Sequence, residues 1–139
     1  MVYDMHFREA VPEDEFVFAL SQVFMIETWQ IGALPTDANV KLRFETNHYP
    51  FGDFKMRLSI CFDDNKEGIG FVFRDELSFT IEFSRLLNMD ILISDNEVNP
   101  YSWWLIAPSN NHNPKAVYQI PNEEDYLFLS KNTDTNFTS

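Results

Sequence analysis

The sequence predicts an α+β fold in which a mostly antiparallel, meandering sheet of six to eight strands packs on one long N-terminal helix, at about residues 12–31. Apolar and polar residues alternate in several separate segments, which is typical of strands with one wet face. One uninterrupted stretch near the N-terminus follows helical spacing instead. The 139 residues suit a single domain, which we place at residues 1–131, with a polar tail at 132–139. A half-closed barrel around the helix is the alternative.

The first two predicted elements are a strand and the long helix. Residues 3–8 alternate between apolar and polar side chains, which predicts the first strand. Pro12 opens the helix, and its first turn, residues 13–15, is entirely acidic, as the positive end of a helix dipole favours. Gly32 is the expected C-terminal stop. Because apolar residues lie on most sides of this stretch, we expect the helix to be largely buried.

Most of the remaining chain is predicted as strands and turns. Alternation at residues 40–45 and 54–62 indicates two strands, joined as a hairpin through the turn residues 47–53. The same pattern continues at 69–73 and 77–83, where we expect a further hairpin, with one long bent strand as the alternative. Later strands are predicted at residues 91–93, 101–107 and 116–120, and loops at 33–39, 95–100 and 108–114.

The charge of the chain limits its possible partners. Lys and Arg number 10 against 22 Asp and Glu, so the formal net charge is −12. A chain this acidic repels nucleic acids and anionic lipid headgroups, so we exclude direct binding to either and expect a basic protein partner. The N-terminus lacks the features of a signal peptide, and no apolar run approaches the length of a membrane span. We therefore expect a cytoplasmic location.

The sequence offers no motif for catalysis or metal binding. Cys61 is the single cysteine, and we predict that it is structural or incidental. Residues 63–68 have the opening of a calcium-binding loop, but Arg74 occupies the twelfth position, where that loop needs a glutamate. An ordinary hairpin turn is therefore expected there. Because phosphate-binding, nucleophile-elbow and zinc-helix motifs are also missing, we predict no cofactor, no metal and no enzymatic activity.

Two adjacent tryptophans carry more information than any other local feature. Trp103 and Trp104 fall in the predicted strand 101–107, so their side chains point to opposite faces of the sheet. Both are buried if the strand is covered on both faces. In the alternative interpretation Trp104, which shares its face with Ser102, is exposed and anchors a partner.

With its negative charge, lack of catalytic motifs and cytoplasmic character, the protein resembles small acidic bacterial immunity proteins, which neutralise a cationic nuclease toxin by covering its substrate-binding face. The resemblance implies a non-enzymatic module that binds a basic toxin domain. We place the partner-binding residues in two acidic loops and at the second tryptophan: Asp63, Asp64, Glu67, Asp95, Glu97 and Trp104. One alternative is a DNA-mimic inhibitor with carboxylates in regular rows. Another is a small-ligand-binding barrel or an enzyme with a carboxylate site.

Overall fold

The computed structural model describes residues 1–36, 39–63 and 75–130, and it confirms the α+β class. Within these residues, seven strands form one sheet, and two helices pack on it. The strands are β1 (Val2–Phe7), β2 (Ile31–Ala33), β3 (Leu42–His48), β4 (Met56–Phe62), β5 (Ile91–Ser94), β6 (Ser102–Ile106) and β7 (Pro114–Tyr118), and the helices are α1 (Glu13–Phe24) and α2 (Glu76–Leu87).

The N-terminal strand lies in the middle of the sheet. The strand order is β2-β3-β4-β1-β5-β6-β7. Neighbouring strands are antiparallel from β3 across to β7, whereas β2 at the edge lies parallel to β3. The expectation of a mostly antiparallel sheet is therefore confirmed, and the hairpin of β3 and β4 forms as predicted. The sheet does not close into a barrel.

The prediction of one long helix over residues 12–31 is wrong. Helix α1 ends at Phe24, because Met25 adopts the left-handed conformation, with φ 57° and ψ 45°, and its N–H donates to the carbonyl of Ser21. A 3-10 turn, Thr28–Gln30, follows, and its start is capped reciprocally by the side chains of Glu27 and Gln30. The chain then enters the sheet as β2. The apolar residues near position 31 thus belong to a strand rather than to the end of a helix.

The prediction of a strand over residues 77–83 is also wrong, because this segment lies in α2. Asp75 caps the N-terminus of α2 by accepting a hydrogen bond from the backbone N–H of Ser78, at 2.9 Å. Asn88 ends the helix in the left-handed conformation, with φ 55°. Phe79 and Phe83 are one turn apart and both fully buried. The predicted partner strand at residues 69–73 lies outside the described residues, as does the predicted tail at 132–139.

The main core lies between the two helices and one face of the sheet. Its centre is a group of aromatic rings, in which Phe79 stacks on Phe24 and on Phe83 with ring centroids 5.2 Å apart in both cases. Tyr3 of β1 lies 5.4 Å from Phe79 and 5.2 Å from Phe62 of β4. Ring pairs of this kind add stabilisation beyond the burial of their area. They join both helices to the two central strands.

A second, smaller cluster covers part of the opposite face of the sheet. It contains Phe54, Leu92, Val117 and Leu127, with Trp103 packed against it. The segment that carries Leu127 is anchored by single β-bridges, from Phe54 to Leu127 and from Gln119 to Leu129. This segment therefore connects the start of β4 with the end of β7 across this face of the sheet.

Candidate functional site

The remainder of that face is uncovered by either helix, and we call it the open face. It is formed by the side chains of β1, β3 and β4 that alternate with the buried core residues. Across the three strands these side chains form three rows: Asn47, Arg57 and His6; Glu45, Ser59 and Asp4; and Arg43, Cys61 and Val2. Carboxylates and arginines alternate on this surface. It therefore lacks the regular rows of carboxylates that a DNA mimic would present.

His6 and Arg57 are the least solvated polar pair on the open face. They are opposite each other in the β1–β4 register, and the His6 ring meets the edge of Trp103 at 5.4 Å. Within the described residues, neither His6 Nδ1 nor Arg57 Nε has a hydrogen-bond partner. Burial, together with the charge of Arg57, lowers the pKa of His6 from 6.5 to about 4, although Asp4 opposes this shift. His6 is therefore neutral at pH 7.

The side chain of Glu76, in the first turn of α2, contacts the backbone near the start of β1. The backbone N–H of Asp4 donates to Glu76 Oε2 at 3.1 Å, because β1 pairs with β5 only at His6 and Phe7 and leaves this N–H without a strand partner. Burial raises the pKa of Glu76 to about 7; the hydrogen bond from Asp4 opposes this shift, and the negative charge of Asp4 adds to it. The Glu76 side chain thus provides a hydrogen-bond acceptor for the backbone N–H of Asp4 in the central strand.

The open face brings reactive residue types together without activating them. The hydroxyl of Ser59 donates to the carboxylate of Asp4. Activation of a serine requires a base that accepts its proton, and a carboxylate is a weak base for that purpose. Cys61 is exposed, opposite Arg43 and Val2. In the described part of the chain, no group of three or more His, Cys, Asp or Glu side chains is placed to hold a metal ion.

One serine and one histidine do contact each other, between α2 and the loop before β7. Ser84 Oγ lies 2.8 Å from His112 Nδ1 and donates to the carbonyl of Met89, also at 2.8 Å. With its only proton given to that carbonyl, the hydroxyl must accept from His112 Nδ1–H. His112 therefore does not act as a base toward Ser84, whose side chain is also fully buried. The pair fastens the loop to the helix.

An apolar surface remains exposed on α1, and we call Phe18, Met25 and Ile26 the α1 patch. Phe18 is 61% exposed and Met25 78%. The three residues line a shallow depression of about 370 Å³, together with Gln22 and Glu27. The expectation that this helix is largely buried is wrong at these positions. Phe18 and Met25 are exposed because the main core lies on one side of α1 only, whereas Ile26 is half-buried and also packs against the core.

The acidic residues predicted to bind a partner fall at one end of the sheet, as far as they are described. Asp63 directly follows β4, and Asp95 and Glu97 follow β5. Both strands run antiparallel to β1, so these carboxylates lie at the end where β1 begins. Asp63 and Glu97 are exposed, and Asp95 is half-buried. Asp64 and Glu67 lie outside the described residues.

Trp104 lies on the helix-covered face of the sheet. It is half-buried and packs against the main core, whereas Trp103 packs against the second cluster. The indole N–H of Trp103 donates to Gln119 Oε1 at 3.1 Å. The two adjacent tryptophans thus pack against two separate apolar clusters, one on each face of the sheet. This is the arrangement expected for a strand that is covered on both faces. An additional role of Trp104 as a partner anchor stays a prediction.

Replacing Trp104 by alanine should therefore reduce the stability of the fold. We expect the free energy of unfolding to fall by about 2 kcal/mol, less than for a fully buried aromatic residue, because part of the indole is already in water. Trp29→Ala is a matched control, since Trp29 is 72% exposed, and it should change stability little. Chemical denaturation of the two variants gives the comparison. Equal stability of both would contradict the placement of Trp104 against the core.

Comparison with known proteins found no matching family model, curated protein or solved structure. Neither helix in the described residues is long and apolar enough to cross a membrane. The functional proposals below therefore depend on the geometry and charge of this chain.

Proposed function

We propose that the protein is a non-enzymatic binding module that docks on the basic surface of another protein. The observation that carries this proposal is the α1 patch and its acidic border. Glu15 is one helical turn from Phe18, and Glu27 lines the depression beside Met25; both glutamates are exposed. Exposed apolar side chains surrounded by charge are typical of protein interfaces, in which a few central residues supply most of the affinity.

The net charge of the chain indicates which partner fits this surface. At a formal charge of −12, the protein attracts basic surfaces over several ångströms and repels acidic ones. Asp63, Asp95 and Glu97 at the end of the sheet add to this field. A basic nuclease-type toxin, neutralised by a small immunity protein in the cytoplasm, is the partner class that we favour.

Loss of the apolar centre should weaken binding without unfolding the protein. We expect Phe18→Gln with Met25→Asn to weaken affinity by about 30-fold or more, which is the scale of an interface hot spot. Asparagine is chosen because it tolerates the left-handed backbone of Met25. Partner capture from source-cell extract, followed by titration of the captured protein, gives the affinity, and thermal melting gives the stability.

The matched control is Leu86→Gln, which removes another exposed apolar side chain, 52% exposed, from α2. It should bind as the unchanged protein does. A captured partner that is acidic, or one that binds the Phe18 and Met25 variant at full affinity, would contradict the proposal.

The acidic residues should act mainly on the rate of association. With Asp63→Asn, Asp95→Asn and Glu97→Gln combined, the association rate should fall severalfold at low salt, while the dissociation rate changes little. Raising the salt concentration should reduce the difference between this variant and the unchanged protein, because screening weakens long-range attraction. Stopped-flow mixing at several salt concentrations measures both rates. A salt-independent association rate would argue against a basic partner.

A further inference from the structure

The free edge of the sheet has a groove of its own, separate from the α1 patch. It encloses about 700 Å³, and we call it the edge groove. It lies where β2 and β3 begin and β4 ends, and the backbone N–H of Lys41 ties the starts of β2 and β3 together by donating to the carbonyl of Gln30 at 2.9 Å. Its lining includes Trp29, Gln30, Asn39, Lys41, Arg43 and Asp63. A groove of this volume accommodates a small molecule.

Two cations line this groove in a strongly acidic protein. Among the described residues, Arg8, Lys55 and Arg85 each form an ion pair with a carboxylate. Within the same part of the chain, Lys41 and Arg43 form none. Both side chains line one cavity, Lys41 exposed and Arg43 half-buried. The edge groove therefore carries two cations against the one described carboxylate in its lining, that of Asp63, and the donors of Lys41 and Arg43 suit an anion that accepts several hydrogen bonds.

An aromatic ring and two amides supply the remaining contacts. Trp29 is 72% exposed, so a flat ring has access to a large part of its indole surface. Stacking of a base on such a ring is worth a substantial part of the affinity in nucleotide-binding proteins. Gln30 uses its carbonyl oxygen to accept from the backbone N–H of Glu27 at 2.9 Å, which leaves its amide NH₂ as a donor. Asn39 offers both a donor and an acceptor.

We propose that the edge groove binds a small phosphorylated ligand that carries a flat ring, such as a nucleoside monophosphate. Lys41 and Arg43 hold the phosphate, Trp29 stacks on the ring, and the amides of Gln30 and Asn39 contact its polar edge. Asp63 also lines the groove, and its charge opposes ligands with further phosphates. The net charge of −12 repels long polyanions, but a ligand with a single phosphate experiences mainly the two nearby cations.

Calorimetric titration with adenosine monophosphate tests this proposal, with inorganic phosphate and adenosine as separate arms. We expect saturable binding of the monophosphate, and binding at least tenfold weaker for phosphate alone and for adenosine alone, because each retains only part of the contacts. Shifts of the Trp29 indole signal in NMR spectra locate the ligand. Failure of the monophosphate to bind, or phosphate binding equally well, would overturn the proposal.

Variants assign the roles of the individual side chains. Arg43→Gln and Lys41→Gln should each weaken binding of adenosine monophosphate by about tenfold, as expected for loss of a charge-assisted hydrogen bond. Trp29→Ala should weaken it to a similar extent, and Asp63→Asn should strengthen it. Arg85→Gln is the matched control, because Arg85 is paired with Glu82 on α2. The proposal is refuted if the control weakens binding as much as Lys41→Gln does.

Discussion

Phe79→Ala should destabilise the protein by about 3–5 kcal/mol, the range for removing a fully buried aromatic side chain. Phe79 has no exposed surface and stacks on both Phe24 and Phe83. It therefore joins α1 to α2 over the sheet. The cavity left by Phe79→Ala removes the aromatic contact between the two helices. The melting temperature should fall by about 10–20 °C for a domain of this size.

Phe18→Ala provides the comparison, since it removes the same side chain from a position that is 61% exposed. Its effect on the free energy of unfolding should stay within about 0.5 kcal/mol, as is usual for surface positions. Denaturant unfolding of both variants measures the difference. Similar stabilities would show that the stacked rings do not form the centre of the core.

His6 should make the protein sensitive to acid in a defined pH range. Its pKa is about 4 in the folded protein and 6.5 in the unfolded chain, so between these values the unfolded chain binds the proton and the folded protein does not. The contribution of neutral His6 is therefore complete above pH 6.5 and is lost as the pH falls toward 4. At about 1.4 kcal/mol for each pH unit, the loss amounts to about 3 kcal/mol.

Comparison of the unchanged protein with His6→Asn isolates this contribution. The stability difference between them should change by about 3 kcal/mol from pH 7 to pH 4. Denaturant unfolding at several pH values provides both curves. A constant difference for His6→Asn would show that the folded protein binds the His6 proton as readily as the unfolded chain does.

Glu76 acts in the opposite direction. Its pKa of about 7 lies above the ordinary value of 4.5, so as the pH falls from 7 to 4.5 the folded protein gains stability relative to the unfolded chain. The two contributions therefore partly cancel between pH 6.5 and 4.5. Glu76→Gln should remove the gain and reveal the full acid sensitivity that His6 causes.

The sequence predicts most strands correctly but misassigns α2, for an identifiable reason. Leu77, Phe79, Ile81 and Phe83 alternate as strand residues do, while Phe79 and Phe83 equally fit one face of a helix. Short apolar runs of this kind do not distinguish the two periods, and packing against the core decides between them. Two local signals in the sequence favour the helix, namely Asp75 as its N-cap and Asn88 as its stop.

Much of the candidate surface depends on pairing between distant segments. Asp63, Asp95 and Glu97 share one end of the sheet only because β4 and β5 flank β1, an order that local patterns do not specify. The approach of His6 to Arg57 depends on the same register. Phe18 and Met25 are visible in the sequence as surplus apolar residues on α1, but their exposure follows from the sheet lying on only one side of that helix.

The central position of β1 affects the order in which the chain folds during synthesis. Residues 2–7 leave the ribosome well before their partners, which are residues 56–62 on one side and 91–92 on the other. Until then, Met5 and Phe7 remain without their strand neighbours, and contacts so distant in sequence form slowly. Until both partner strands have been synthesised, the nascent chain exposes this apolar segment, and a holding chaperone should improve the yield of folded protein.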